Sequence, residues 1–197
     1  MQAEVLPQDV TGLILAGGRG QRVGGADKGW VIHDGRPLIA SVVERFAPQV
    51  GRLLISANRN LERYAALGTV VEDDAAGTQG ERFAGPVIGV LSGLRHAQSE
   101  WLAIVPCDAP HLPSDLVQRL MNATLDAEAV AGCARVGDQV QPVFAVVKTS
   151  TMDRLAQSIA AGERAMHRWL ESLDAVAVDF DDAQAFANIN ALRDRDQ

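Results

Sequence analysis

Residues 15–28 read LAGGRGQRVGGADK, from Leu15 to Lys28. The segment holds five glycines, with Arg19, Arg22 and Lys28 among them, directly after the apolar run Leu13-Ile14-Leu15. A chain that leaves a buried strand for glycines and cations bends tightly and presents backbone N–H groups to an anion. Neither common phosphate loop is matched. A P-loop requires GxxxxGK[ST], yet Asp27 precedes Lys28 and Gly29 follows it. A dinucleotide-binding GxGxxG would need glycine where Val23 stands. The segment is longer and more cationic than either motif, which suits a triphosphate wrapped by N–H groups, with Arg22 and Lys28 balancing its charge.

Outward from this loop, strand and helix patterns alternate. Strands are expected at Val10–Leu15 and over residues 52–58, 69–73, 101–106, 129–134, 140–147 and 175–180. Helices are expected over Leu38–Phe46, 59–67, 85–98, Pro113–Leu125, Thr149–Ala161 and Arg164–Leu173, with Pro37 and Pro86 opening two of them. Residues 185–192, AFANINAL, read as a brief strand end leading into a helix. The run WLAIVP (101–106) is apolar nearly throughout, as in a strand covered on both faces. The alternation predicts a single α/β domain over residues 1–197, with residues 1–9 as a short tail. Its architecture is Rossmann-like: three α/β/α layers around a mostly parallel sheet. Ligands bind at the carboxyl ends of such strands, where the strand order switches. The glycine loop, Ser56-Ala57-Asn58, Asp73-Asp74 and Asp108 all fall at those ends.

Composition narrows the function classes. With 197 residues and 47% apolar content, the chain supports a substantial core. The net charge of -7 and the absence of a basic stripe argue against nucleic acid as a partner. No apolar run has membrane-spanning length, and the first ten residues lack the basic and apolar regions of a signal peptide. Cys107 and Cys133 form no CxxC, which fits reduced thiols in a cytoplasmic protein. His33, His96, His111 and His167 show no metal-ligand spacing. Cys107, Trp101, Trp169 and Phe144 sit in apolar runs and read as core.

Six segments together carry a resemblance: LAGGRGQRVGGADKG (15–29), ISAN (55–58), VVED (70–73), GPVIGVLSGL (85–94), PCDAPHLP (106–113) and FANIN (186–190). They resemble the signature of molybdenum cofactor guanylyltransferases, bacterial enzymes of the nucleotidyltransferase superfamily that join GMP to molybdopterin. The loop and PCDAP are the specific marks; ISAN or VVED alone would be weak. The chain departs from the pattern at Val23, Ser56, Gln141-Pro142 and Ala191-Leu192, and at Val87-Ile88, where bulkier side chains are expected to reshape the pocket wall.

The resemblance implies GTP and molybdopterin, or its molybdenum-bearing form, as substrates and Mg²⁺ as cofactor. Molybdoenzyme-maturation proteins follow as expected partners. It implies nucleotide contacts from Leu15, Ala16, Gly17, Gly18, Arg22, Gly25, Lys28, Ser56, Asn58, Asp73 and Asp108, with Arg22, Lys28 and Asp108 catalytic and Asp108 the metal ligand. A hard cation that bridges phosphates takes carboxylate oxygen and few protein ligands, as Asp108 would supply. A strand-end carboxylate also matches the N1–H and N2–H₂ edge of guanine; Asp73 is the candidate and Asp74 its adjacent alternative. Asn188 and Asn190, two apart on an extended segment, face the same way and are candidates for the acceptor. A phosphate monoester acceptor has a second pKa of about 6 and is already an anionic nucleophile at neutral pH. The lack of an obvious general base therefore fits nucleotidyl transfer and counts against hydrolysis. Cytidylyl transfer to the same acceptor is the close alternative, and a non-catalytic nucleotide-binding module that delivers cofactor is the alternative from another class.

Overall fold

The computed structural model describes residues 7–17, 27–73 and 85–189. Strands are β1 (Val10–Leu15), the two-residue β2 (Ile32–His33) and β3 (Arg36–Pro37), β4 (Arg52–Ser56), β5 (Thr69–Val71), β6 (Trp101–Pro106), β7 (Ala131–Val136), β8 (Gln139–Lys148) and β9 (Val176–Phe180). Seven of them form one sheet in the order β5-β4-β1-β6-β8-β7-β9. Every pairing is parallel except those of β8 with β6 and β7, so β8 alone runs against the rest. β2 and β3 make a separate hairpin over Asp34-Gly35, both at positive φ (49° and 77°), the geometry that Asp-Gly turns favour.

Helices are α1 (Leu38–Phe46), α2 (Leu61–Ala65), α3 (Pro86–His96), α4 (Leu116–Asp126), α5 (Met152–Ala160) and α6 (Met166–Ser172). The period-2 pattern of the strands divides their side chains between two cores. Ile14, Ile55, Ala103 and Val105 face a core closed by α1, α2 and α4 through Val42, Phe46, Tyr64 and Leu120. Leu13, Leu54, Leu102 and Ile104 face a second core closed by α3, α5 and α6 through Ile88, Leu155 and Trp169. This is the three-layer α/β/α arrangement that the alternation predicted. Each fully buried aliphatic side chain contributes about 1.5–3 kcal/mol. β6 is buried along its whole length and so gives a rigid base to the residues just beyond it, including Asp108.

Several elements are shorter than their sequence patterns suggest. Pro113–Asp115 forms a turn, and α4 begins only at Leu116, where the Gln49 side chain takes the Val117 N–H at 3.0 Å. Thr149–Thr151 and Gln184–Phe186 are single 3₁₀ turns, and residues 187–189 form no strand. Trp101, Trp169 and Phe144 are core residues as read, each at most 3% exposed. Cys107 is buried as well, and burial pushes its thiol well above the ordinary range, the behaviour of an inert apolar side chain. Among the described residues no helix is long and apolar enough to cross a membrane.

Candidate active site

The chain runs β1, then β4 and β5 outward on one side, and then returns to β6 on the other side of β1. The carboxyl ends of these strands surround the point where strand order reverses, and a cleft of about 280 Å³ opens there. Backbone bonds lock its floor beyond the regular strands: Ala16 N–H donates to the Ser56 carbonyl (2.8 Å), Ala57 N–H to Val71 (3.1 Å) and Cys107 N–H to Leu15 (3.2 Å). Leu15, Gly17, Ser56, Asp73, Pro106 and Asn188 line the cleft, together with Gly85, Pro86 and Gly89 from the first turn of α3 and Val143 from β8.

α3 forms a wall because its glycines let it lie close to the sheet. A Cβ at Gly89 would stand 2.6 Å from Ser56 Oγ, and one at Gly93 would stand 2.5 Å from a Leu13 methyl. Val87 and Ile88 do not shape this wall as expected. Both point into the core beneath the sheet and are buried, because the helix turns Pro86 and Gly89 toward the cleft instead. The opposite wall comes from a bulge. β7–β8 pairing jumps from Cys133↔Ala145 to Ala134↔Gln141, leaving Pro142, Val143 and Phe144 without partners on β7. Pro142 has no N–H to give a ladder, and the bulge it marks turns Val143 to the cleft.

Asp73 is held in a two-point grip. Asn58 Nδ2 donates to Asp73 Oδ2 at 2.7 Å, and Asn58 Oδ1 accepts the Asp73 backbone N–H at 3.0 Å. Ser56 Oγ lies 3.5 Å from Asp73 Oδ1, at the outer limit of a hydrogen bond. Burial raises the Asp73 pKa above its ordinary value, while the bonds from Asn58 and Ser56 pull it back down. Asn58 thus meets the cleft through Asp73. Ser56 stands against both Asp73 and α3.

Asp108, 5% exposed, follows β6 and forms an ion pair with Lys28. Its backbone carbonyl accepts the Ile189 N–H at 2.9 Å, which stitches the segment bearing Asn188 beside it. The structure therefore brings together Leu15, Ala16, Gly17, Ser56, Asn58, Asp73 and Asn188 around the cleft and its floor, and joins Lys28 to Asp108. Gly18, Arg19, Arg22, Gly25, Asp74 and Asn190 lie outside the described residues. Gly85, Pro86, Gly89, Pro106 and Val143 line the cleft and are not among the contact residues expected from the sequence. Pro86 beside a glycine at a helix start was legible as a helix signal, and the pocket wall was expected one residue on, at Val87-Ile88, rather than at Pro86 and Gly89.

Residues 12–176 match the family described as MobA-like NTP transferase domain. A molybdenum cofactor guanylyltransferase from Cupriavidus metallidurans is 46% identical over 189 residues, which covers 93% of this chain and 91% of that protein. One of the same name from Burkholderia ambifaria is 45% identical over 188 residues, with 92% and 91% covered. The crystal structure of molybdopterin-guanine dinucleotide biosynthesis protein A from Archaeoglobus fulgidus superposes with a TM-score of 0.72 at 24% identity, covering 91% of this chain and 92% of that one. An α/β sheet of this order, a cleft at its switch point and near-full-length similarity to these proteins agree: the chain belongs to the MobA-like NTP transferase family.

Proposed function

We propose that the protein transfers GMP from GTP to molybdopterin, with release of pyrophosphate. Identity of about 45% to relatives named for that activity supports the reaction class. The choice of base is carried by one observation: a carboxylate, Asp73, fixed at the cleft by Asn58 and Ser56. Ionised, it accepts hydrogen bonds from both N1–H and N2–H₂ of guanine. Adenine sets an acceptor against it, and cytosine offers a different edge.

The acceptor phosphate attacks the α-phosphorus of GTP in line, the P–O bond to pyrophosphate breaks, and no protein base need remove a proton. The chain's task is to hold two anions together and balance their charge. Lys28 and Asp108 satisfy each other when ligand is absent. With nucleotide present, the ammonium would take phosphate oxygens as partners and leave the carboxylate free to hold a cation. A single buried carboxylate fits Mg²⁺, which binds through one or two carboxylates plus substrate phosphates. Among the described residues no group of three or more His, Cys, Asp and Glu is placed to hold a metal ion. When bound, Mg²⁺ supplies charge neutralisation at the transferring phosphoryl group. Arg22 and the glycine-loop N–H groups, with Gly18 and Gly25, complete the phosphate grip in this reading. Asn188 and Asn190 hold the acceptor. The protein works as a single domain in the cytoplasm, and molybdoenzyme-maturation proteins receive its product.

Asp73→Asn tests the base assignment. It keeps the size and replaces one acceptor with a donor, so discrimination of GTP over ATP should fall by about 1–3 kcal/mol. Competition binding with GTP, ATP, CTP and UTP reads this directly. Unchanged selectivity in Asp73→Asn, with loss in Asp74→Asn, would move the role to Asp74.

The pH dependence has a definite sign. Guanine binding needs the ionised carboxylate, and burial raises its pKa above the ordinary 3.8. GTP affinity should therefore rise with pH through that elevated pKa and level off above it. Asp73→Asn should flatten this limb in calorimetric titrations. A limb that persists in the variant would assign it to another group.

A further inference from the structure

Asp27 stands directly before the 3₁₀ turn Lys28–Trp30, where an aspartate side chain commonly caps the helix start. It makes no such cap. Its carboxylate is turned instead to α2: Tyr64 Oη donates to Asp27 Oδ1 at 2.6 Å, and Asn60 Nδ2 donates to Asp27 Oδ2 at 2.8 Å. Both donors are built for the purpose. Tyr64 is fully buried, its ring 5.2 Å from that of Trp30. Asn60 sits at φ 53°, in the left-handed region that asparagine tolerates, which brings its amide to the start of α2. The next residue but one after Asp27 is glycine because of this contact. A Cβ at Gly29 would lie 2.6 Å from Tyr64 Oη and 3.4 Å from Ile39 Cβ. Between Asp27 and Gly29 stands Lys28, joined to Asp108. Burial and the Asp27 contact hold the Tyr64 hydroxyl far above its ordinary pKa, so it remains a donor.

We propose that Tyr64 and Asn60 are positioning residues for Lys28: by gripping Asp27 they fix the exit of the glycine-rich loop, so that the Lys28 ammonium is delivered to Asp108 and to the nucleotide's phosphates. The phosphate part of this inference rests on the nucleotidyl-transfer reading; the delivery of Lys28 to Asp108 does not. The two hydrogen bonds come from side chains held by the core and by the α2 start, so they restrain a residue adjacent to Lys28.

The sequence contains two lysines, Lys28 and Lys148. Lys148 pairs with Glu100 at 3.0 Å, away from α2, and serves as an internal reference. Each lysine's rate of labelling by an amine-reactive ester can be followed by peptide mass spectrometry on ligand-free protein. Tyr64→Phe keeps the buried ring, and Asn60→Gly keeps the left-handed backbone. In each, Lys28 should label about three- to tenfold faster, the factor expected for loss of one ordinary hydrogen bond, with Lys148 unchanged. Affinities for GTP and for inorganic tripolyphosphate should fall by a similar factor. In a Lys28→Ala background, Tyr64→Phe should have no further effect on either affinity. Unchanged Lys28-to-Lys148 ratios in both variants, with circular dichroism showing folded protein, would overturn the proposal. So would a loss of affinity from Tyr64→Phe that is equal with and without Lys28. Faster Lys28 labelling in the variants of a protein that binds no GTP would uphold the grip while removing the guanylyl-transfer reading.

Discussion

Asp108→Asn is expected to slow GMP transfer by about 100-fold or more, corresponding to the loss of several kcal/mol of charge stabilisation at the transferring phosphoryl group. The substitution keeps one oxygen ligand and the size of the side chain but removes the charge that a hard cation requires. The fold should persist. Asp108 continues from β6, buried along its length, and its backbone carbonyl still accepts the Ile189 N–H. Lys28, whose side chain is 31% exposed, loses its partner but keeps contact with water. GTP affinity should change by less than about threefold, because the substitution leaves the proposed phosphate contacts unaltered. Pyrophosphate release measured across a Mg²⁺ titration, with GTP affinity measured separately, checks both parts. Wild-type turnover with an unchanged Mg²⁺ requirement would take Asp108 out of the mechanism.

Lys28→Ala should weaken GTP binding by about 10- to 100-fold, the value of hydrogen bonds to a charged group. Its effect on stability differs from that of an ordinary surface lysine. The Asp108 side chain is 7% exposed, and truncating Lys28 strands its carboxylate without a counter-charge. The partial exposure of Lys28 places the cost between the limits for surface and buried pairs, at about 1–3 kcal/mol. The double variant Lys28→Ala/Asp108→Ala should recover part of that loss, since neither charge then remains. Thermal unfolding of the three variants reads the stability term, and calorimetry reads the affinity. GTP affinity equal to wild type in Lys28→Ala would remove this residue from the phosphate site.

The layering of the molecule was legible because strands covered on both faces are written as apolar runs and surface helices as period-3.6 patterns. WLAIVP shows the first, and Leu38–Phe46, which buries Leu38, Ile39, Val42 and Phe46 on one face, shows the second. Strand direction was not legible in the same way. β8 reads VQPVFAVV whichever way it runs, and its reversal follows from the two-residue connection Gly137-Asp138 after β7, too short for a parallel crossover. The sequence pattern starts helices three residues early at Pro113 and two at Arg164, because proline and glycine punctuation marks a turn without saying which residue first closes a helical bond.

The candidate site divides along the same line. Ser56, Asp73 and Asp108 were legible, as strand-end residues, because that position follows from the fold. Asp27, Asn60 and Tyr64 were not, because their roles arise from contacts 33 and 37 positions apart in sequence. The available signal was chemical: Tyr64 is the chain's only tyrosine, in an apolar helix position where its hydroxyl needs a partner. Asn58 is expected as a nucleotide contact, and its side chain also grips Asp73 with one N–H and one carbonyl lone pair.

The most direct test of guanylyl transfer is a single reaction: purified protein with GTP, Mg²⁺ and molybdopterin, assayed for pyrophosphate and for the pterin product. Transfer predicts one pyrophosphate for each GMP joined to the pterin, dependence on acceptor, and GTP preferred over CTP. Bound GTP without pyrophosphate release in the presence of acceptor, or faster transfer from CTP, would contradict it.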